Sequence, residues 1–135
     1  MLSIAEIDEK FLNESIDWEF PIPIAYGPGR INEIGGFCNK FKISNPLVVT
    51  DKGSKELPFV NRLADLLEIA SIKNQLFCGI SPNPRDDEIN AGCIAYRNGN
   101  HDGIIAIGGG SALDGAKAIG MTVNSGVSLW DFEYR

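Results

Sequence analysis

Histidine and cysteine are scarce in this sequence, and the scarcity removes whole classes of chemistry. The one histidine, His101, stands in Asn100-His101-Asp102, and no HxxxH or Asp/His cluster exists to hold iron or zinc. A single histidine in a loop is expected to be a solvated turn residue. The three cysteines, Cys38, Cys78 and Cys93, are odd in number, far apart and outside any CxxC. Three buried free thiols are therefore expected, rather than a disulfide framework or a structural zinc. No basic stripe or Lys/Arg run is present and the net charge is −6, which argues against nucleic acid as a partner. No apolar run approaches a membrane span. The first residues, Met1-Leu2-Ser3-Ile4-Ala5-Glu6, lack the basic and apolar regions of a signal peptide, so a cytoplasmic location is expected.

What remains is an ordinary globular composition. The 135 residues are 44% hydrophobic and 22% charged, enough for one domain with a real core. An acidic balance does not forbid an anionic ligand, because backbone N–H groups can hold a phosphate without net positive charge. Ser3 to Ile16 has helical spacing and a capping box at Ser3 and Glu6. Trp18 to Tyr26 reads as extended, an edge strand because Pro21 and Pro23 lack donors. Tyr26-Gly27-Pro28-Gly29 is a turn, and helical spacing resumes from Ile31 to Phe41.

Three apolar runs then alternate with helical stretches. Leu47–Thr50 is a strand, Phe59–Ile72 a helix, and Gln75–Cys78 a strand. Ile80 to Pro84 is a loop holding two prolines. Asp86–Asn98 is a helix with acidic residues in its first turn, favourable to the dipole, and Gly99 suits its C-terminal cap. Ile104–Ile107 is a strand running into Gly108-Gly109-Gly110-Ser111, and Ala112–Met121 a helix. This order predicts an α/β fold, an open parallel sheet covered by helices, and continuous apolar strands predict burial on both faces. Asp86-Asp87-Glu88 is expected to be a solvated first turn rather than a metal cluster. Trp18, Phe20, Trp130 and Phe132 have rings suited to stacking an adenine, but core or interface packing is expected for each. The aromatic stretch Leu129–Tyr134 suggests a surface awaiting a partner.

The chemistry lies in the glycine loop. Gly108, Gly109 and Gly110 present no Cβ to block a ligand, and the first N–H groups of the following helix are free to face it. Two readings stand, a pyrophosphate cradle or a tight structural turn, and the strand-before, helix-after setting favours the first. Ser111 suits either a helix cap or a phosphate donor. The loop is not GxGxxG, and no Gly-Lys-Ser/Thr follows as in a Walker A loop. Asp51 stands at the carboxyl end of a strand, where open α/β sheets bind ligands. It has two readings of equal weight: accepting from the adenosine ribose hydroxyls, or capping the following turn.

In this order, four stretches resemble the iron-containing (type III) alcohol dehydrogenases: Tyr26-Gly27-Pro28-Gly29-Arg30-Ile31, Val48-Val49-Thr50-Asp51-Lys52, Pro82-Asn83-Pro84, and Asp102 through Gly108-Gly109-Gly110-Ser111 to Asp114 and Ala116-Lys117-Ala118-Ile119. The resemblance runs from about Phe20 onward. It implies a Rossmann-like NAD-binding region over 18–135, preceded by an N-terminal helix or extension over 1–17. It also implies roles: Gly108, Gly109, Gly110 and Ser111 around the pyrophosphate, Asp51 favouring NAD over NADP, Asn83 near the ribose, Asp114 near the nicotinamide, and Lys117 on the same helix. Family members pass a hydride between an alcohol or aldehyde carbon and the nicotinamide, while Fe2+ or Zn2+ polarises the substrate oxygen. Their metal ligands, typically one Asp and three His, belong to a helical second domain whose residues are not found here. No catalytic or metal-ligating residue is therefore assigned, and an NAD-binding front part, inactive alone, is expected. A free-standing nucleotide-binding or interaction module is the alternative. The family's N-terminal strand pairs between subunits, which implies a homodimer through the edge strand near Phe20 to Ala25.

Overall fold

The computed structural model describes residues 15–19 and 21–133. The expected helix from Ser3 lies outside these residues up to position 14, and Ile16 opens a strand instead. The chain divides into two compact units, one up to Ile34 and one from Gly35 onward.

In the first unit, β1 (Ile16–Glu19) and β2 (Pro23–Tyr26) form an antiparallel hairpin, with Ile16 opposite Tyr26 and Glu19 opposite Pro23. The stretch expected as one edge strand is thus two strands. Pro21 and Pro23, which lack donors, mark the reversal between them. Gly27 and Gly29 turn the chain into a 3-10 helix, Arg30–Glu33. The Arg30 guanidinium closes the unit, donating to Asp17 Oδ1 at 2.8 Å, to Ser15 Oγ at 2.9 Å and to Glu33. Hydrogen bonds to Glu33 and then Asp17 push its pKa further up. Ile22, Ile24, Tyr26 and Ile31 are exposed.

Helix α1 (Ile34–Lys40) begins on the last residue of the first unit, and the second unit continues β3 (Pro46–Asp51), α2 (Pro58–Ile69), β4 (Gln75–Ile80), α3 (Asp86–Asn98), β5 (Gly103–Ala106) and α4 (Gly110–Thr122). A short 3-10 helix, Leu129–Phe132, follows. The sheet order is β4-β3-β5, and β3 runs parallel to both neighbours, Leu47 pairing with Gln75 and with Ile104. Central placement explains the apolar run: Pro46 through Thr50 are all buried. Alternate residues serve opposite faces. Leu47 and Val49 join Ile80, Ile89, Cys93, Ala116, Ile119 and Val123 in one core against α3 and α4. Val48 and Leu76 instead line a dimple with Val60 and Ala64 of α2.

The outer strands depart from the expected burial on both faces. Gln75 and Leu76 are exposed and β5 is half-buried throughout, because each edge strand has a neighbour on one side only. Ile80, read as the start of a loop, is the fully buried last residue of β4. Of the thiols, Cys38 and Cys93 are buried and Cys78 is half-buried. Burial pushes the Cys38 and Cys93 thiols up.

The connection from β3 goes to one side of the sheet, and the next returns to the other. The order of strands therefore reverses between β3 and β5. In open α/β sheets a ligand crevice forms at the carboxyl ends of such a pair.

Candidate functional site

Three loops share that carboxyl edge: residues 51–57 after β3, 81–85 after β4, and 107–109 after β5. Gly108 has φ 139°, and a Cβ added there would meet Asp51 Oδ2 at 3.0 Å and Ala112 Cβ at 2.9 Å. Only glycine satisfies both the backbone angle and the close approach. Its two neighbours differ. A Cβ on Gly109 or Gly110 would meet nothing within 4 Å, so the loop faces open space there. Gly109 is the N-cap of α4 and no side chain caps the helix. The positive end of a 13-residue helix thus points into the open side of the loop.

Ser111 does not cap α4. Its hydroxyl donates to the Pro82 carbonyl at 2.6 Å and ties the glycine loop to the loop after β4. Asp51 holds its own turn: Oδ1 accepts from the Gly53 and Ser54 amides at 3.0 and 2.9 Å, and Oδ2 from the Ser54 hydroxyl at 2.8 Å. A carboxylate has about four acceptor sites, so a place on Oδ2 remains. Turn capping and a ligand contact are compatible at this residue.

Asp51, Gly108 to Ser111 and the backbone of Pro82 are therefore brought together. Asn83 is exposed on the same 81–85 loop. Asp114 is exposed one turn into α4. Lys117 is exposed nearly a turn further, about 10 Å along the axis from the helix start at 1.5 Å per residue.

Sequence reasoning missed the group beside these residues. Glu88, expected in a solvated first turn with Asp86 and Asp87, is 8% exposed. It accepts from the Ser81 amide at 3.1 Å, the Arg85 amide at 3.2 Å, the Lys52 ammonium at 3.0 Å and the Ser81 hydroxyl. These donors, Ser81 foremost, hold its pKa down to about 2. The signal available was position: Glu88 is the third residue of α3, where a glutamate reaches back to the N-cap amide. Asp86 accepts from the Trp130 indole at 3.2 Å, which leaves that ring 63% exposed.

His101 also departs from the expected solvated turn residue. It is buried, Nδ1 donates to the Asn45 carbonyl at 2.9 Å, Nε2 lies 3.3 Å from Gln75 Oε1, and the ring rests near Tyr96. It sits just before β5 at the amino edge of the sheet, the end away from the glycine loop. Among the described residues, no three of His, Cys, Asp and Glu gather where a metal ion would be held. No described helix is long and apolar enough to cross a membrane.

The family model for iron-containing alcohol dehydrogenase matches residues 21–135. The choline dehydrogenase of Bacillus subtilis is 34% identical over 116 residues, covering 86% of this chain and 29% of that protein. The NADH-dependent butanol dehydrogenase A of Clostridium acetobutylicum is 34% identical over 118 residues, 87% of this chain and 30% of its own length. A crystal structure of 1,3-propanediol oxidoreductase superposes with a TM-score of 0.78 at 28% identity, covering 90% of this chain and 31% of the other. The chain thus spans about three tenths of the length of these relatives.

Proposed function

The chain belongs to the iron-containing alcohol dehydrogenase family, and from that premise we propose that it is the NAD-binding part of a dehydrogenase acting on an alcohol or aldehyde. One observation carries the reading: the carboxylate ending β3 and the glycine loop ending β5 meet at the point where strand order reverses, with open space above Gly109 and Gly110. That space and the uncapped α4 suit a pyrophosphate. The amides from Gly109 to Ser111 hold it, Gly108 lets the loop pass Asp51, and Asp51 takes the adenosine ribose hydroxyls. Asn83 lies beside that ribose, Asp114 faces the nicotinamide end, and Lys117 adds positive charge on the same helix.

Bound nicotinamide supplies the hydride acceptor or donor. The residues of this chain bind and orient it. Among the described residues no three of His, Cys, Asp and Glu gather for Fe2+ or Zn2+, and this reading expects no alcohol oxidation by the chain alone with either metal added; measurable turnover would overturn it. A cytoplasmic location and pairing of two copies through the N-terminal hairpin belong to the same reading. A monomeric mass in solution would remove the pairing.

Titration of the full chain with NAD and ADP-ribose tests the nucleotide role. Weak binding of both, with little preference for the nicotinamide, is expected; no heat at millimolar ligand overturns it. Asp51→Asn keeps an acceptor for the Gly53 and Ser54 amides while removing the charge. It should raise affinity for NADP relative to NAD about fivefold, the scale of a contact between unit charges in water. An unchanged ratio removes Asp51 from the ribose role.

A further inference from the structure

We propose that Glu88 is a positioning residue for the nucleotide site: it locks the turn after β3 to the loop after β4, so that Asp51 and Asn83 are in place before a ligand arrives. The inference rests on the nucleotide reading above and adds a residue that touches no part of the ligand. Glu88 accepts from four donors on the two loops: the Ser81 amide and hydroxyl, the Arg85 amide and the Lys52 ammonium. Those donors use the acceptor capacity of one carboxylate, which leaves nothing for a ligand.

Its partners adjoin the site. Lys52 directly follows Asp51, and its ammonium also donates to Ser81 Oγ at 3.0 Å. Ser81 precedes Pro82 and Asn83, and the Pro82 carbonyl takes the Ser111 hydroxyl. Glu88 therefore joins the first two loops directly, and the separate Ser111–Pro82 bond ties the second loop to the start of α4. The strands beneath are already paired and buried without it, since Lys52 N–H donates to the Ile80 carbonyl at 2.9 Å. What the carboxylate adds is the conformation of the two loops. The depressed pKa agrees, because these donors favour the anion.

The test compares the full chain with Glu88→Gln, which keeps the shape, loses the charge and turns an N–H2 toward donors. The apparent Kd for ADP-ribose should rise about tenfold, as when the competent loop arrangement falls to about one tenth of molecules. Amide exchange at Gly53, Ser54 and Ser81 should quicken. Inorganic pyrophosphate, followed by NMR titration, should bind both proteins equally, because the start of α4 is fixed by its own helix; a general loss of structure would weaken both ligands. If Glu88→Gln does not fold, Lys52→Met removes the same link from the solvent side and should act in the same direction. Wild-type binding matched by an unchanged Kd and unchanged exchange in the variant overturns the inference and leaves the nucleotide reading standing. A wild-type chain silent to ADP-ribose at millimolar concentration removes both, and altered exchange alone then marks Glu88 as structural only.

Discussion

The two ends of one sheet, Gly108 aside, use glycine differently. At the amino edge, glycine lets groups close in. A Cβ on Gly99 would lie 2.1 Å from His101 Nε2, and one on Gly103 would meet Ile43 at 2.8 Å. Polar groups there are bonded to one another: Asp102 accepts from the Ser44 amide and hydroxyl and the Asn45 amide at 2.7 to 2.8 Å, and the Asn45 side chain donates to the Gly99 and Asn100 carbonyls. At the carboxyl edge, Gly109 and Gly110 leave space empty and a helix end uncapped. The first arrangement consumes its hydrogen-bonding capacity in stability. The second leaves it open.

Substitutions can break this contrast. The largest effect is expected for Gly99→Ala, which forces the buried His101 ring off the Asn45 carbonyl. Overpacking and a lost hydrogen bond should cost about 2–3 kcal/mol in urea unfolding, with ADP-ribose affinity unchanged. Weaker nucleotide binding without lost stability would show that the amino edge is not the closed end. Next in size is Gly109→Ala. Its backbone, φ −83° and ψ −168°, suits alanine, so stability should stay within about 0.5 kcal/mol. Affinity for ADP-ribose should fall about tenfold as the methyl enters the phosphate space, and equal affinity would make the loop a plain turn.

The smallest effect is in acid. Hydrogen bonds from Ser81 to Glu88 and from Ser44 to Asp102 hold both carboxyls below their ordinary range. A depressed carboxyl contributes stability that is full above its unfolded pKa, roughly 4, and is lost as pH falls through the folded value, about 2 for Glu88. Between pH 5 and pH 2 (a window of roughly those limits) wild type should therefore lose stability more steeply than either Glu88→Gln or Asp102→Asn. Only the Glu88 variant should also weaken nucleotide binding. Parallel acid curves for all three would separate neither edge.

The sequence conveys the layer pattern well, because hydrophobic periodicity is local. The runs at Leu47–Thr50 and Ile104–Ile107 and the helix Asp86–Asn98 lie within a residue or two of the observed elements. The glycine loop was legible for the same reason, as strand, glycines and helix follow directly. What escaped depends on partners far along the chain. His101 looked solvated because Asn45 and Gln75, which bury it, are distant in sequence. Glu88 looked like a third surface acid because Lys52 and Ser81 are not neighbours until β3 and β4 pair. Asp51 showed two readings, and the structure supplies the turn-holding one through Gly53 and Ser54.

The central position of β3 also sets a schedule. It is the first of the three sheet strands to be synthesised, and Leu47 has no strand partner until Gln75 and then Ile104 are made. In a nascent chain its apolar row therefore waits as an open template for wrong pairing. α2 is the first cover to arrive, through Val60 beside Val48. Parallel pairing over such separations is slow. The glycine loop emerges last of the three loops, so the proposed nucleotide site is complete only after all three sheet strands have been made.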